Sequence, residues 1–268
     1  MGRGNPLIKR MNSDAHKNHT PAYSGGGQAL ATDPQQLNDL YNAPSATAAD
    51  TQRATMNDVV VKCLILLGLV VAGGAVGWMI PAVGMIGALA GFVLAMVVIF
   101  KKKTSPGLIM AYAVCQGLAL GAISRMFETM FSGIVLMAIV STLIVFVGML
   151  ALYAKAGMRI GGKVAAILGI GMIAYLAFII GNLIFGAFTG GSMRDVEVFG
   201  IPLGIIIGLV AVVMAALCLV MDFQEIDGAL RAGVPEKESW RLAFGLMVTL
   251  IWLYVEILRL LSYFMSDD

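Results

Sequence analysis

The pattern of hydrophobic positions changes abruptly near Val59. From there on, apolar runs follow one another, each long enough to cross roughly 30 Å of hydrocarbon as a helix. They lie near residues 60–80, 82–100, 106–125, 132–153, 164–188, 199–221 and 242–264, and only the Ile80-Pro81 corner joins the first two. The runs are continuous rather than alternating, which excludes a membrane β-barrel. They predict an all-α, polytopic membrane bundle of seven transmembrane helices over residues 57–268. Residues 1–56 lack any helical period and are rich in Asn, Ala, Thr, Ser, Gln, Pro and Gly, with Gly25-Gly26-Gly27 in their midst. This reads as a disordered tail. No apolar core follows its basic start, so it is not expected to be a secretory signal.

Composition agrees with lipid as the solvent. The 268 residues are 59% hydrophobic and 13% charged, against about 45–50% and about 25% for soluble domains. A net charge of +2 gives no reason to expect a nucleic-acid partner. Cys63, Cys115 and Cys218 each sit inside an apolar run, without the short spacings of a zinc site or disulfide framework. The two histidines, His16 and His19, are both in the tail, so no membrane-embedded histidine is available for catalysis or metal binding.

The basic residues set an orientation. Lys101, Lys102 and Lys103 follow the second run, Lys155, Arg159 and Lys163 the fourth, and Arg231, Lys237 and Arg241 the sixth. The alternate connections are poorer in net positive charge: Ile80-Pro81, then Arg125 with Glu128, then Arg194 with Asp195 and Glu197. The positive-inside rule then places the tail in the cytoplasm. With seven full spans the C-terminus lies outside; with a re-entrant last segment it returns to the cytoplasm. Gly73/Gly77, Gly117/Gly121 and Gly204/Gly208 form small-x-x-x-small faces for close helix packing, within one bundle or between two copies.

Ionisable groups at membrane depth cost at least about 2–3 kcal/mol, so each one needs a reason. Glu256 falls about 21 Å along a last helix begun near Leu242. Asp222 closes the sixth run and opens an acidic cluster with Glu225 and Asp227. In one reading Arg259, three residues on, merely neutralises Glu256, and Asp222 is a helix-end carboxylate at the water interface. In the other the two acids form a pair that shares a proton, senses pH and offers oxygen ligands to Ca²⁺. Asn182 and Gln116 are mid-span polar groups that line the same route or join helices. Trp252 and Tyr254 read as packing or interface anchors.

Met221-Asp-Phe-Gln-Glu-Ile, followed about thirty residues later by Leu253-Tyr-Val-Glu, resembles the transmembrane Bax inhibitor motif family, in particular its bacterial YccA/YetJ-like branch. Lys101-Lys102-Lys103, Gln116-Gly-Leu-Ala-Leu-Gly-Ala-Ile-Ser and Gly181-Asn-Leu-Ile-Phe add weaker matches, and the similarity spans roughly residues 56–264. The resemblance implies six helices surrounding a central C-terminal seventh. It further implies a pH-sensitive, calcium-permeable leak in a bacterial inner membrane, with Asp222 and Glu256 as the ion- and proton-sensing pair and Lys101 as a latch on Asp222. Ca²⁺ and protons would be the transported or bound ions, and no other cofactor is expected. Glu256 stands where the family has aspartate, the acid that some relatives carry in helix two has no counterpart near Ala90, and Arg259 replaces a neutral residue. A second function follows from relatives that restrain a membrane-anchored AAA protease, with the tail as the binding element. An enzyme is not expected: there is no H-E-x-x-H zinc motif and no histidine for a serine triad in the spans.

Overall fold

The computed structural model describes residues 53–101, 103–198 and 200–266; the tail expected over residues 1–56 falls almost wholly outside them. Seven helices account for nearly all of the described chain: α1 (Met56–Met79), α2 (Ala82–Phe100), α3 (Pro106–Met130), α4 (Ile134–Ala154), α5 (Gly162–Thr189), α6 (Leu203–Arg231) and α7 (Ser239–Ser266). All seven are long and apolar enough to cross a membrane. Local chemistry sets several of their ends. Thr55 and Asp58 close a reciprocal capping box on α1: the Asp58 amide donates to Thr55 Oγ1 at 3.2 Å and the Thr55 amide donates to Asp58 Oδ2 at 2.8 Å. Pro106 opens α3, where its missing N–H costs nothing. Glu128 accepts from the Gly133 and Val135 amides at 2.7 and 3.0 Å, putting an anion at the positive start of α4.

Two expectations change. The last segment is one continuous helix of 28 residues, about 42 Å long, which removes the re-entrant alternative. The sixth helix does not end at Asp222 but runs on to Arg231. The Asp222 carboxyl therefore sits about 13 Å inside the helix end, rather than at a helix terminus. Apolar content made the run appear to stop, but Phe223, Ile226 and Leu230 continue its packed face through the acidic cluster.

Glycines join the first three helices. A Cβ on Gly73 would come within 2.6 Å of the Val114 carbonyl oxygen, and one on Gly117 or Gly121 would collide with the backbone of α1. On the other flank of α3, Gly87 leaves room for the Cys115 carbonyl and Gly91 for the Gln116 amide. Gly204 and Gly208 lie under Tyr263 and Leu260 of α7. All three small-residue faces thus pack within the chain.

α7 is the axis of the bundle. One apolar cluster joins it to α4 and α6 through Ile134, Ala138, Leu219, Phe223, Leu253 and Ile257. A second joins it to α1 and α3 through Leu66, Ile109, Tyr112, Phe244, Met247 and Ile251. The surrounding wall is uneven: α2 leans on α3, whereas α5 packs on α6 and on the turn that follows α5. Leu168 is the one buried residue of α5, and Ile173, Leu183 and Phe188 face outward, as lipid-facing residues do.

The loops gather at two ends. At the basic end Ala54 N–H donates to Val234 O at 2.9 Å, Lys62 Nζ reaches Glu236 Oε1 at 2.9 Å and Ser239 Oγ at 2.7 Å, and Thr104 donates to Glu238 at 2.8 Å. At the opposite end the α5–α6 connection forms a single 3₁₀ turn, Met193–Asp195, and a two-residue β-ribbon pairing Glu197–Val198 with Ile201–Pro202.

Gly117→Leu should force α1 and α3 apart and cost about 1–3 kcal/mol, the range for overpacking. Gly169→Ala, where an added Cβ meets nothing within 4 Å, should not lower the unfolding midpoint, since alanine favours a helix interior over glycine. Thermal unfolding in detergent compares the two.

Candidate functional site

Thr249, Trp252, Glu256 and Arg259 recur at helical spacing and form one stripe on α7. The upper part of that stripe, Trp252, Glu256 and Arg259, lines a cavity of about 770 Å³ between α3, α5 and α7. Met126, Phe127 and Met130 at the end of α3 form part of its rim, together with Ser192, Arg194 and Asp195 from the α5–α6 connection. The cavity therefore lies toward the end of the bundle opposite the basic loops.

Glu256 is 2% exposed, and its carboxylate is held from three elements. Arg259 Nη1 donates to Oε1 at 3.0 Å, the Tyr175 hydroxyl of α5 donates to the same oxygen, and Arg194 Nη1 stands 3.8 Å from Oε2. Arg194 Nη2 also donates to the Tyr175 oxygen at 2.9 Å. Two guanidiniums thus surround one carboxylate, which supplies the compensation a charge at this depth requires. Arg194 is itself only 5% exposed. It arrives there because Asn182 Oδ1 accepts from Ser192 Oγ at 3.0 Å and from the Met193 amide at 2.8 Å, folding the turn back over the bundle. Its guanidinium also lies 5.3 Å from the Phe178 ring centroid.

Asp222 occupies a different level. It lies near Thr249, seven residues and about 10 Å along α7 from Glu256. Its Oδ2 is buried without a partner among the described residues. Between the two levels α7 presents the buried Ile251 and Leu253. The expected Asp222–Glu256 pair is thus not a direct one, because each acid projects from its helix at its own depth and meets different neighbours. Among the described residues no group of three or more His, Cys, Asp or Glu side chains is placed to hold a metal ion.

The remaining candidates separate as well. Lys101 is exposed, borders a small cleft with Lys103 and Arg241, and makes no ion pair among the described residues, so it does not latch Asp222 here. Asp227 pairs with Arg231 at 2.8 Å and accepts from Tyr153, while Glu225 is exposed. Gln116 lines the cavity, whereas Asn182 anchors the turn that carries Arg194. Arg259 does neutralise Glu256, as its spacing suggested, but it does not act alone. Arg194 and Tyr175 were not anticipated as site residues: a loop arginine outside the helical period, and a tyrosine in a lipid-facing helix, give no local sign of converging on α7.

The model of the family described as Bax inhibitor 1 like matches residues 5–266. The chain belongs to this family. The match extends through most of the N-terminal tail as well as the helices, beyond the residues 56–264 over which the motifs were legible. No curated protein matches the chain.

Arg194→Met should strand one side of the Glu256 carboxylate, and Asn182→Val should have a similar effect by freeing the turn. Tyr175→Phe removes the hydroxyl that donates to Glu256 and accepts from Arg194, at about 1.5–3 kcal/mol for a bond to a charged group, but leaves every charge in place. Unfolding in detergent should rank Tyr175→Phe as the mildest of the three; equal stability of all three with wild type would show that the cluster contributes nothing.

Proposed function

We propose that this Bax inhibitor-type membrane protein is a pH-sensitive leak for small cations, with Ca²⁺ as the passing ion, in the YccA/YetJ-like branch. The observation that supports the reading is the carboxyl of Asp222, which lies within a membrane-spanning helix with one oxygen unpartnered. An orphan carboxylate at that depth is expensive to maintain unless an ion or proton visits it. The basic connections support a cytoplasmic tail, which puts the large cavity on the outer side; a bacterial inner-membrane location goes with the branch proposed. No catalytic role is proposed.

In this reading the two acids divide the work. Asp222 is the inner station, where a cation or proton is held against α6 and α7. Glu256 is the centre of an outer clasp, because two arginines satisfy its charge and leave a cation little to gain there. The clasp ties α5 and the α5–α6 turn to α7 through side chains. Separating them would extend the outer cavity toward the apolar layer at Ile251 and Leu253. Protonation of either acid changes the local charge balance and so couples pH to the passage.

A regulatory role toward a membrane-anchored AAA protease is the second reading. It is favoured by the bonds that tie Arg53 and Ala54 to Pro235 and Val234, just before α7. A partner bound to the tail would pull on the connection leading into the central helix.

Ca²⁺ flux into proteoliposomes tests the first reading. Asp222→Asn should lower flux by about tenfold, the scale of losing about 1.4 kcal/mol of ion stabilisation, and should weaken its pH dependence. Equal flux and equal pH dependence in the variant and wild type would end the proposal. Glu256→Gln should instead raise the flux by releasing the clasp; a loss as deep as that of Asp222→Asn would place Glu256 on the ion path itself. For the second reading, removing residues 1–50 should leave flux intact while abolishing co-purification with the protease.

A further inference from the structure

At the basic end of the bundle, cations from two distant elements gather at one cleft. Lys101 and Lys103 come from the connection between α2 and α3, and Arg241 from the first turn of α7. All three are exposed, and none makes an ion pair among the described residues. Lys62 and Arg231, at the same end, hold Glu236 and Asp227 instead. Arg241 is drawn to the end of α2 by a bond from its Nη2 to the Ile99 carbonyl oxygen at 3.3 Å, across 142 positions of sequence. Glu238 is tied to the cleft wall, but its Oε1 already accepts from the Thr104 hydroxyl at 2.8 Å. Like charges held together in this way repel one another unless an anion lies between them.

Shape and position narrow what that anion is. The cleft holds about 10 Å³, room for about one water, so a ligand rests on its rim rather than inside it. The rim is made by the end of α2 and the starts of α3 and α7, all spanning helices, and so lies at the level of lipid headgroups. Beside it Ile99 and Phe100 face outward, toward hydrocarbon. The start of α3 is open as well: Ser105 makes no capping bond with its side chain and nothing crowds Gly107, so the positive end of that helix adds to the three cations. An anion free in water gains few contacts on such a rim. A headgroup is kept at that depth by its own acyl chains, and the protein has only to supply charge.

We propose that Lys101, Lys103 and Arg241 form a docking site for the headgroup of an anionic phospholipid, whose acyl chains lie along the outward face of α2. The two lysines act as point charges on the phosphate and the Arg241 fork supplies directed donors. Basic clefts between spanning helices recognise lipid headgroups in this way. Because Arg241 opens α7, a lipid bound here ties the membrane surface to the start of the central helix. The site requires only that the helices span, not that the chain conduct ions, so its test reads lipid binding rather than flux.

The full chain in non-ionic detergent is titrated with dioleoyl phosphatidylglycerol or dioleoyl phosphatidylcholine, and bound lipid is counted by native mass spectrometry. Phosphatidylglycerol should be retained in preference to phosphatidylcholine. Lys101→Gln/Lys103→Gln should lower its affinity at least about tenfold, since each cation at a membrane surface contributes about fivefold. Both lysines are exposed, so the unfolding midpoint should not move. Arg241→Gln, on another element, supplies a second variant and should lower affinity about fivefold. Lys155→Gln/Lys163→Gln removes the same charge from the α4–α5 connection and should leave the affinity unchanged. Glycerol 3-phosphate, the headgroup chemistry without chains, should not displace the lipid at equal concentration. Each of three results would overturn the proposal: no preference for phosphatidylglycerol in wild type, equal losses in the two lysine variants, or displacement by glycerol 3-phosphate.

Discussion

The neutralisation of Glu256 organises this molecule. A carboxylate midway along the central helix cannot be left to lipid, and its own helix offers only Arg259. The remaining compensation comes from Arg194 and Tyr175, on a loop and a helix that would otherwise have little hold on α7. One buried charge thereby fixes where the α5–α6 turn folds back, why Asn182 must pin it, and why the wall is closed by side-chain chemistry on that flank rather than by close packing.

The opposite flank is built by a different force. α1, α2 and α3 approach so closely that glycine is required at the crossing points, and dispersion between backbones takes the place of hydrophobic burial, which lipid does not supply. The bundle therefore has a tightly packed side and a side held by a few polar bonds. The large cavity lies between them, bounded by α3 and α5. Packed surfaces of this kind resist gradual deformation, whereas a small polar cluster has discrete made and broken states. Motion that opens the cavity is more easily placed at the polar cluster than at the glycine seam.

The ends of the bundle repeat this contrast. At the basic end, Lys62, Thr104 and the Ala54 amide each grip the connection between α6 and α7, so the entry into the central helix is tethered to α1 and to the start of α3. At the other end α7 borders a cavity, and the α5–α6 turn reaches it through the Arg194 side chain. Its lower half is therefore gripped by backbone and loop contacts, and its upper half by a few side chains.

The apolar runs determined seven helices, their order and the limits of α2, α4 and α5 to within two residues, because spanning hydrocarbon demands length and composition that few soluble sequences have. The motif around Asp222 and Glu256 pointed to the family, and the i, i+3 spacing was enough to find Arg259 against Glu256. Glycine spacing likewise indicated which faces pack. The end of α6 was misread because hydropathy falls at Asp222 although the packed face continues to Leu230. Tertiary structure alone decided which acid meets which partner. Asp222 and Glu256 lie on antiparallel helices, and their relative depth depends on how α6 and α7 slide against each other, a register that no spacing within either helix records. Arg194 and Tyr175 belong to the same class of fact: their contact with Glu256 arises from a loop folding inward, and only the assembled bundle brings them to that carboxylate.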